Sequence, residues 1–360
     1  MIDLSLLTDG GMGWLDASGP GSHLVLSTRV RLARNLAAHP FIGRNSDRER
    51  ETILRDIDAA ARDTVLLRHA ASFRLDRLDQ ADRLVLHERH LVSRELAGLD
   101  PNGRVRYGAA LLAQDRLALM LNEEDHLRLQ CLHSGFALDA AYAEADRLDT
   151  ELGRRLGFAF HPEFGYLTAC PTNVGTGLRA SVLIHLPGLV LTKEVSRVLQ
   201  GLTQVGLTFR GLYGEGSEVV GNFFQLSNQT TLGKTEPELL DHLGKMVRQV
   251  MDYEEQARQV LLRSAPTIIE DKVWRAFGLL RYARSLSFDE AMNLLSGVRL
   301  GVGTGLVPGV SMYTLNKLLV HTQPAHLAIA EGLPLGDPAL AIRRATHVRR
   351  VLEDESGRSA

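Results

Sequence analysis

Lysine is almost missing from this chain of 360 residues: 5 Lys stand beside 36 Arg within a total of 41 basic residues. One residue in ten is therefore arginine, so a single arginine says little and only arginines in company are informative. Net charge is also slight, −2 from 41 basic and 43 acidic residues. That excludes bulk attraction to nucleic acid or to an anionic membrane, and any anion site has to be built locally. Cysteine is scarce. Cys131 and Cys170 lie far apart and form no Cys-x-x-Cys, which argues against a disulfide framework and against a zinc cluster. Long apolar runs are absent too: the longest, Ala180 to Leu191, is broken by His185 and Pro187 and is too short for a bilayer. The opening MIDLSLLTDG has no basic region followed by an apolar stretch, so no signal peptide is read and a cytoplasmic location is expected. What is there is ordinary: 44% hydrophobic and 23% charged residues suit a soluble globular protein. The length suggests two domains.

From Leu24 to about Ser227 short strand-like runs alternate with helical ones. RLALMLNEEDHLRLQCLHSG (116–135) reads as two alternating strands joined by an acidic turn, and LDAAYAEADRLDTELGRRLG (138–157) as an amphipathic helix stopped by Gly157. LTFRGLYGEGSEVVGNFFQLSN (207–228) reads as strand, glycine-rich loop, strand. The character changes at Thr235, which forms a capping box with Glu238 and opens a helical pattern to about Arg263. Pro266 starts another helix, Ser287 with Glu290 caps a third, and Asp337-Pro338 opens a last one. The expected architecture is α+β: an N-terminal segment (1–23), an α+β domain (24–255) and an all-helical domain (256–360).

Three glycine-containing stretches resemble phosphate loops and are set aside. Gly175-Thr176-Gly177-Leu178-Arg179-Ala180 fits a dinucleotide fingerprint, but a β-like run follows it where a helix is required. Gly233-Lys234-Thr235 ends like a P-loop, but Asn228 stands where its first glycine belongs. GVGTG (301–305) reads as a helix-to-helix connection. What remains is a set of arginines in turn-rich contexts: Arg29 and Arg31 in STRVR, Arg128 after the carboxylate run Glu123-Glu124-Asp125, Arg179 in GLRASV, and Arg210 five residues before Glu215. Guanidinium forks bind phosphate oxygens bidentately and keep their charge. Arginines and acids sharing loops suggest a site that handles an anion and a cation together.

STRVRLARN, NEEDHLRLQ, CPTNVGTGLRAS and RGLYGEGSE, in that order, resemble the phosphagen (guanidino) kinases, most closely the bacterial protein arginine kinases of the McsB type. The resemblance implies an antiparallel sheet flanked by helices. It also implies ATP phosphates bound by Arg29, Arg31, Arg128, Arg179 and Arg210. The nucleotide-contacting segments would fall on Ser27, Thr28, Arg29, Val30 and Arg31, on Arg179, Ala180, Ser181, Val182 and Leu183, and on Arg210, Gly211, Leu212, Tyr213, Gly214 and Glu215, with His90 a further contact. Glu124 and Glu215 would be the catalytic carboxylate pair and Cys170 the active-site thiol. Mg²⁺ would be held mainly by ATP and water, so no dense metal-ligand cluster is expected. The small-guanidine members carry a helical domain ahead of this region. Only 26 residues precede Ser27 here, so an open site accepting arginine within proteins is expected, with a kinase for free arginine, or a silent phosphoarginine- or nucleotide-binding regulator, as alternatives. A small zinc-binding activator, a Clp unfoldase and protease, and a homodimer belong to the same expectation. One departure stands out. The related kinases carry Arg-Asp-x-x-Arg-Ala in the last helix as part of a phosphoarginine sensor, and here the stretch is Leu340-Ala341-Ile342-Arg343-Arg344-Ala345.

Overall fold

The computed structural model describes residues 3–7, 11–99, 103–211 and 220–358. Its centre is one antiparallel sheet of eight strands: β1 (Val25–Arg34), β2 (Ala71–Arg74), β3 (Ala110–Gln114), β4 (Leu117–Leu121), β5 (Leu127–Ser134), β8 (Leu178–His185), β9 (Leu207–Arg210) and β10 (Phe223–Asn228). Their order is β2-β3-β4-β5-β1-β8-β10-β9, and a separate two-residue hairpin, β6 (Phe160–His161) with β7 (Gly165–Tyr166), stands beside it. The helices are α1 (Asp47–Arg62), α2 (Gln80–Glu88), α3 (Arg94–Ala97), α4 (Leu138–Leu156), α5 (Pro187–Leu191), α6 (Val195–Gln204) and α7 (Glu236–Ser264). Then follow α8 (Pro266–Tyr282), α9 (Phe288–Gly303), α10 (Met312–His321), α11 (Pro324–Glu331) and α12 (Ala339–Arg358).

Local chemistry sets these boundaries. Ser46 with Glu49 and Thr235 with Glu238 form complete capping boxes, and the Ser287 side chain accepts from the Glu290 amide. Gly157 ends α4 at φ 62°. Helix α7 runs unbroken to Ser264. One expectation is adjusted: GVGTG is no simple connection, because Gly301 and Gly303 are the last turn of α9. A Cβ on Gly301 would lie 2.3 Å from Val273 Cγ1, so the glycine lets α8 and α9 approach.

Side chains alternate between the faces of a strand, and here the two faces have different fates. Val30, Leu32, Leu127, Leu129, Cys131, Ala180, Val182 and Ile184 pack beneath α1, α4 and α7 in the main core. The other face is covered at its ends only. Near β3 and β4, Leu111, Ala113, Ala118 and Met120 pack with Leu86 and Leu96 of α2 and α3. At the other end Leu26, Leu132, Leu183 and Phe223 join a second core with Trp14, Leu15 and the C-terminal helices. Between these covers the face turns cationic, and apolar helices have nothing to bury there. That gap is a cleft of about 510 Å³.

The C-terminal helices are fastened to the sheet domain by polar contacts as well. Glu88, the last residue of α2, accepts from the amides of Ala325 and His326 at 2.9 Å each and from His326 Nδ1 at 2.7 Å, so a carboxylate of one region caps a helix of the other. Arg89 Nε donates to His326 Nε2. Arg299 donates to the Ser22 carbonyl at 2.7 Å, and Asn316 to that of Leu15 at 2.8 Å. Among the described residues no helix is long and apolar enough to cross a membrane.

Candidate active site

Strand register collects the arginines. Arg31 of β1 pairs with Arg179 of β8 on one side and with Gln130 of β5 on the other, while Arg29 pairs with Ser181. Ala33 opposes Arg128, and Arg210 of β9 opposes Gln225 of β10. All five arginines line the one cleft, together with Gln225, His87, His90, Glu95, Glu123, Glu124 and Asn173. The alternation also divides the expected nucleotide segments. Ser27, Arg29, Arg31, Ser181 and Leu183 share the cleft-side face. The side chains of Thr28, Val30, Ala180 and Val182 point the other way, which leaves the backbone as the part of these residues nearest the cleft. Thr28 Oγ1 donates to the Gly135 carbonyl, and Val30, Ala180 and Val182 are core. Gly211 is buried at the end of β9, while Leu212, Tyr213, Gly214 and Glu215 lie outside the described residues.

Burial lowers the guanidinium pKa of Arg29 to about 10, with Arg179, Arg128 and Arg210 pushing the same way. Arg31 is held well below its ordinary range by burial and then by Arg29, Arg128 and Arg179. Arg29 donates to Gln225 Oε1 at 2.8 Å, but Arg31 Nε is buried with no hydrogen-bond acceptor among the described residues. An anion is the missing partner for such a group. Arg128 is different. Burial opposes its charge, but Glu123, Glu124 and Asp125 outweigh it and raise the pKa. Its guanidinium contacts Glu123 at 2.6 Å and also bonds Glu124.

The three adjacent carboxylates have three jobs. Glu123 is buried against Arg128. Glu124, half exposed in the cleft, bonds Arg128 and accepts from Asn173 Nδ2 at 2.9 Å. Asp125 is structural: Oδ1 accepts from Asn35 Nδ2 at 2.6 Å and from the Ala169 amide at 2.7 Å, tying the acidic turn to the chain just before Cys170. Asn122, at φ 54°, starts the turn, and its amide donates to the His126 carbonyl. His126 Nδ1 in turn accepts from the Leu36 amide.

Cys170 caps a short 3₁₀ turn (Pro171–Asn173). Its half-buried Sγ lies 3.0 Å from Thr172 Oγ1, while Asn173 of the same turn forms the cleft wall and reaches Glu124. His90 sits at φ 60°; its carbonyl accepts from Gln130, its ring meets Trp14 edge-on at 5.2 Å, and burial holds it neutral. Gln225, Asn173 and Glu95 have no role in the sequence reading, and Glu123 enters it only as part of the carboxylate run. The available signal was a polar residue interrupting an apolar strand, as Gln225 does in FFQLSN.

Comparisons with known proteins agree with this geometry. Residues 57–257 match the family described as ATP:guanido phosphotransferase, C-terminal catalytic domain, and residues 266–360 match the protein-arginine kinase McsB C-terminal domain. A protein-arginine kinase of Symbiobacterium thermophilum is 46% identical over 340 residues, covering 93% of this chain and 95% of that protein. One of Bacillus cereus (strain G9842) is 42% identical over 349 residues, covering 95% and 96%. Among solved structures, the duplicated taurocyamine kinase of Schistosoma mansoni aligns over 71% of this chain at TM-score 0.59 and 27% identity. The match spans 35% of that longer protein. Lombricine kinase, at 24% identity and TM-score 0.58 over 73% of this chain and 71% of that one, shares the fold. The cationic strand face and its acidic turn thus belong to a chain that is a member of the ATP:guanido phosphotransferase family, of the kind that carries the McsB C-terminal domain.

Proposed function

We propose that the protein is an ATP-dependent protein-arginine kinase, transferring the γ-phosphoryl group of ATP to a guanidinium nitrogen of arginine residues in other proteins. The observation that carries this reading is the set of five arginines brought from four strands into one cleft with Glu124 at its edge. In the reaction an acceptor nitrogen forms the P–N bond, the bond from γ-phosphorus to the bridging oxygen breaks, ADP takes the electron pair, and the guanidinium gives up one proton. A guanidinium is a poor nucleophile because its lone pairs are delocalised. In this reading Glu124 holds it in line and takes the proton, with Glu215 its expected partner. Arg29, Arg31, Arg128, Arg179 and Arg210 neutralise the transferring group, the main catalytic term in phosphoryl transfer. Cys170 orients the acceptor.

Mg²⁺ fits this reading as part of the nucleotide. Glu123 and Glu124 are engaged by Arg128. Among the described residues, the one His/Cys/carboxylate trio close enough to share an ion, Cys131, His133 and Glu144, draws on the opposite face of β5. Held by the nucleotide, the ion would supply further neutralisation of the charge on the transferring group. The same reading includes a cytoplasmic setting, a zinc-binding activator and a Clp protease downstream, which rest on the resemblance. The test is ³²P transfer from ATP to an arginine-rich protein, giving acid-labile, base-stable label, with free arginine at equal guanidinium concentration in parallel. Label on protein far above that on free arginine is expected. Equal rates would favour a small-guanidine kinase, and no transfer would reject both.

A further inference from the structure

Glu95 lines the cleft within electrostatic reach of Glu123 and Glu124 and has no part in the chemistry above. It is in α3, whose start is set by Ser93 Oγ accepting from the Leu96 amide, and it lines the same cavity as Glu123, Glu124 and Asn173. One of its oxygens meets Arg106 Nη2 at 3.0 Å, with side chains 37% and 34% exposed. A half-exposed pair of this kind contributes about 0–1 kcal/mol and exchanges easily. Arg106 does not depend on it, because its other nitrogen donates to the Glu123 carbonyl. Burial raises the Glu95 pKa, and Glu123 and Glu124 add to this against Arg106 and Arg128. A further cation beside this carboxylate would favour its charged form. Val92 and Leu99 line the cavity on the same stretch of chain, apolar surface suited to the stem of a long basic side chain. Elsewhere the cleft presents such a side chain with the like charges of Arg29, Arg31, Arg179 and Arg210.

We infer that Glu95 forms a subsite for a second cationic side chain of the protein substrate, so that arginines with a lysine or arginine close by in sequence are preferred acceptors. This rests on the protein-arginine kinase reading and names its substrate class more narrowly. Arg106 swings aside or shares the carboxylate while Glu124 holds the target guanidinium, so the substrate is gripped at two cationic points, and target selection follows local charge.

The test uses the full-length protein, ATP and peptides with a single arginine flanked by lysine, alanine or glutamate, with KM and kcat measured separately. For the wild type, KM for lysine-flanked peptide should lie about tenfold below that for the glutamate-flanked one, the scale of charge complementarity at a partly exposed site. Glu95→Gln, nearly isosteric, should narrow that ratio to about twofold or less, and Glu95→Lys should reverse it, with KM for ATP unmoved in both. A merely structural Glu95 would lower all peptides alike. Transfer by the wild type without flank preference, or a preference that survives in both variants, would overturn the subsite alone. Failure of the wild type to phosphorylate any arginine would overturn the kinase reading and the subsite with it. If Glu95→Lys does not fold, the Glu95→Gln ratio decides.

Discussion

Arg31 on β1 and Arg179 on β8 are direct register partners in neighbouring antiparallel strands, so two guanidiniums rise side by side from the same face of the sheet. Like charges so placed cost stability unless an anion joins them. Arg31→Met should therefore raise the melting temperature of the ligand-free protein, by about 2–4 °C for each kcal/mol recovered. It should also abolish the stabilisation that ATP gives the wild type. Thermal unfolding with and without ATP checks both signs. A variant that is less stable alone yet still stabilised by ATP would show that Arg31 does not need a phosphate.

Glu124→Gln keeps the hydrogen-bonding shape of the side chain toward Asn173 and removes the charge. Turnover should fall by at least ~100-fold, the scale of acid–base and positioning groups, while ATP affinity stays within a few-fold. The same is expected of Glu215→Gln. Single-turnover rates beside nucleotide binding separate the two effects, and near-normal turnover would remove that carboxylate from the mechanism.

Acid should loosen the acidic turn through His126. Burial lowers its pKa to about 4, against the pull of the Pro40 carbonyl. Nδ1 accepts from the Leu36 amide, so Nε2 carries the proton toward Pro40, and a second proton on Nδ1 would break the Leu36 bond. The unfolded chain takes up that proton near pH 6.5 and the folded one only near 4. The stabilisation is complete above 6.5 and is lost on descent toward 4, with a slope of up to about 1.4 kcal/mol per pH unit from this group. Unfolding free energy measured from pH 7.5 to 4.5 should fall more steeply for the wild type than for His126→Gln, and parallel curves would dismiss the effect.

The missing Arg-Asp pair of the last helix should matter. Leu340 is 5% exposed and packs on Leu327 and Ala328; Arg344 donates to the carbonyls of Thr322 and Leu286. Arg343 lies 3.3 Å from Glu331 and Arg349 bonds the Ala283 carbonyl. Two charge-assisted bonds of about 1.5–3 kcal/mol each are thus unavailable to a phosphoarginine. Free phosphoarginine should bind the wild type at least ~100-fold more weakly than a Leu340→Arg/Ala341→Asp variant. Calorimetric titration decides, and micromolar binding to the wild-type helical region would refute it.

Much of this was legible in the sequence because its signals are local. Thr235 and Glu238, Ser287 and Glu290, and the alternation of β4 and β5 each show within a few residues. The arginines were legible as a set through the motifs around them. Their neighbours were not: Gln225 meets Arg29, Asn173 meets Glu124 and Glu95 enters the cleft only through pairings between distant strands and loops. The facing of Thr28 and Val30 away from the site follows from register, which a list of contacting segments does not contain.

The cap that Glu88 places on α11 bears on how such a chain can be divided or inherited. Two family regions meet around residues 257–266, which suggests two interchangeable parts. Removing the second would strip a buried carboxylate of all three of its donors and uncover Leu26, Leu132, Leu183 and Phe223. Both losses fall on the face that holds the cleft. The helical region is thus half of the kinase's own foundation, and a graft from a relative would have to bring a matching α2 surface with it.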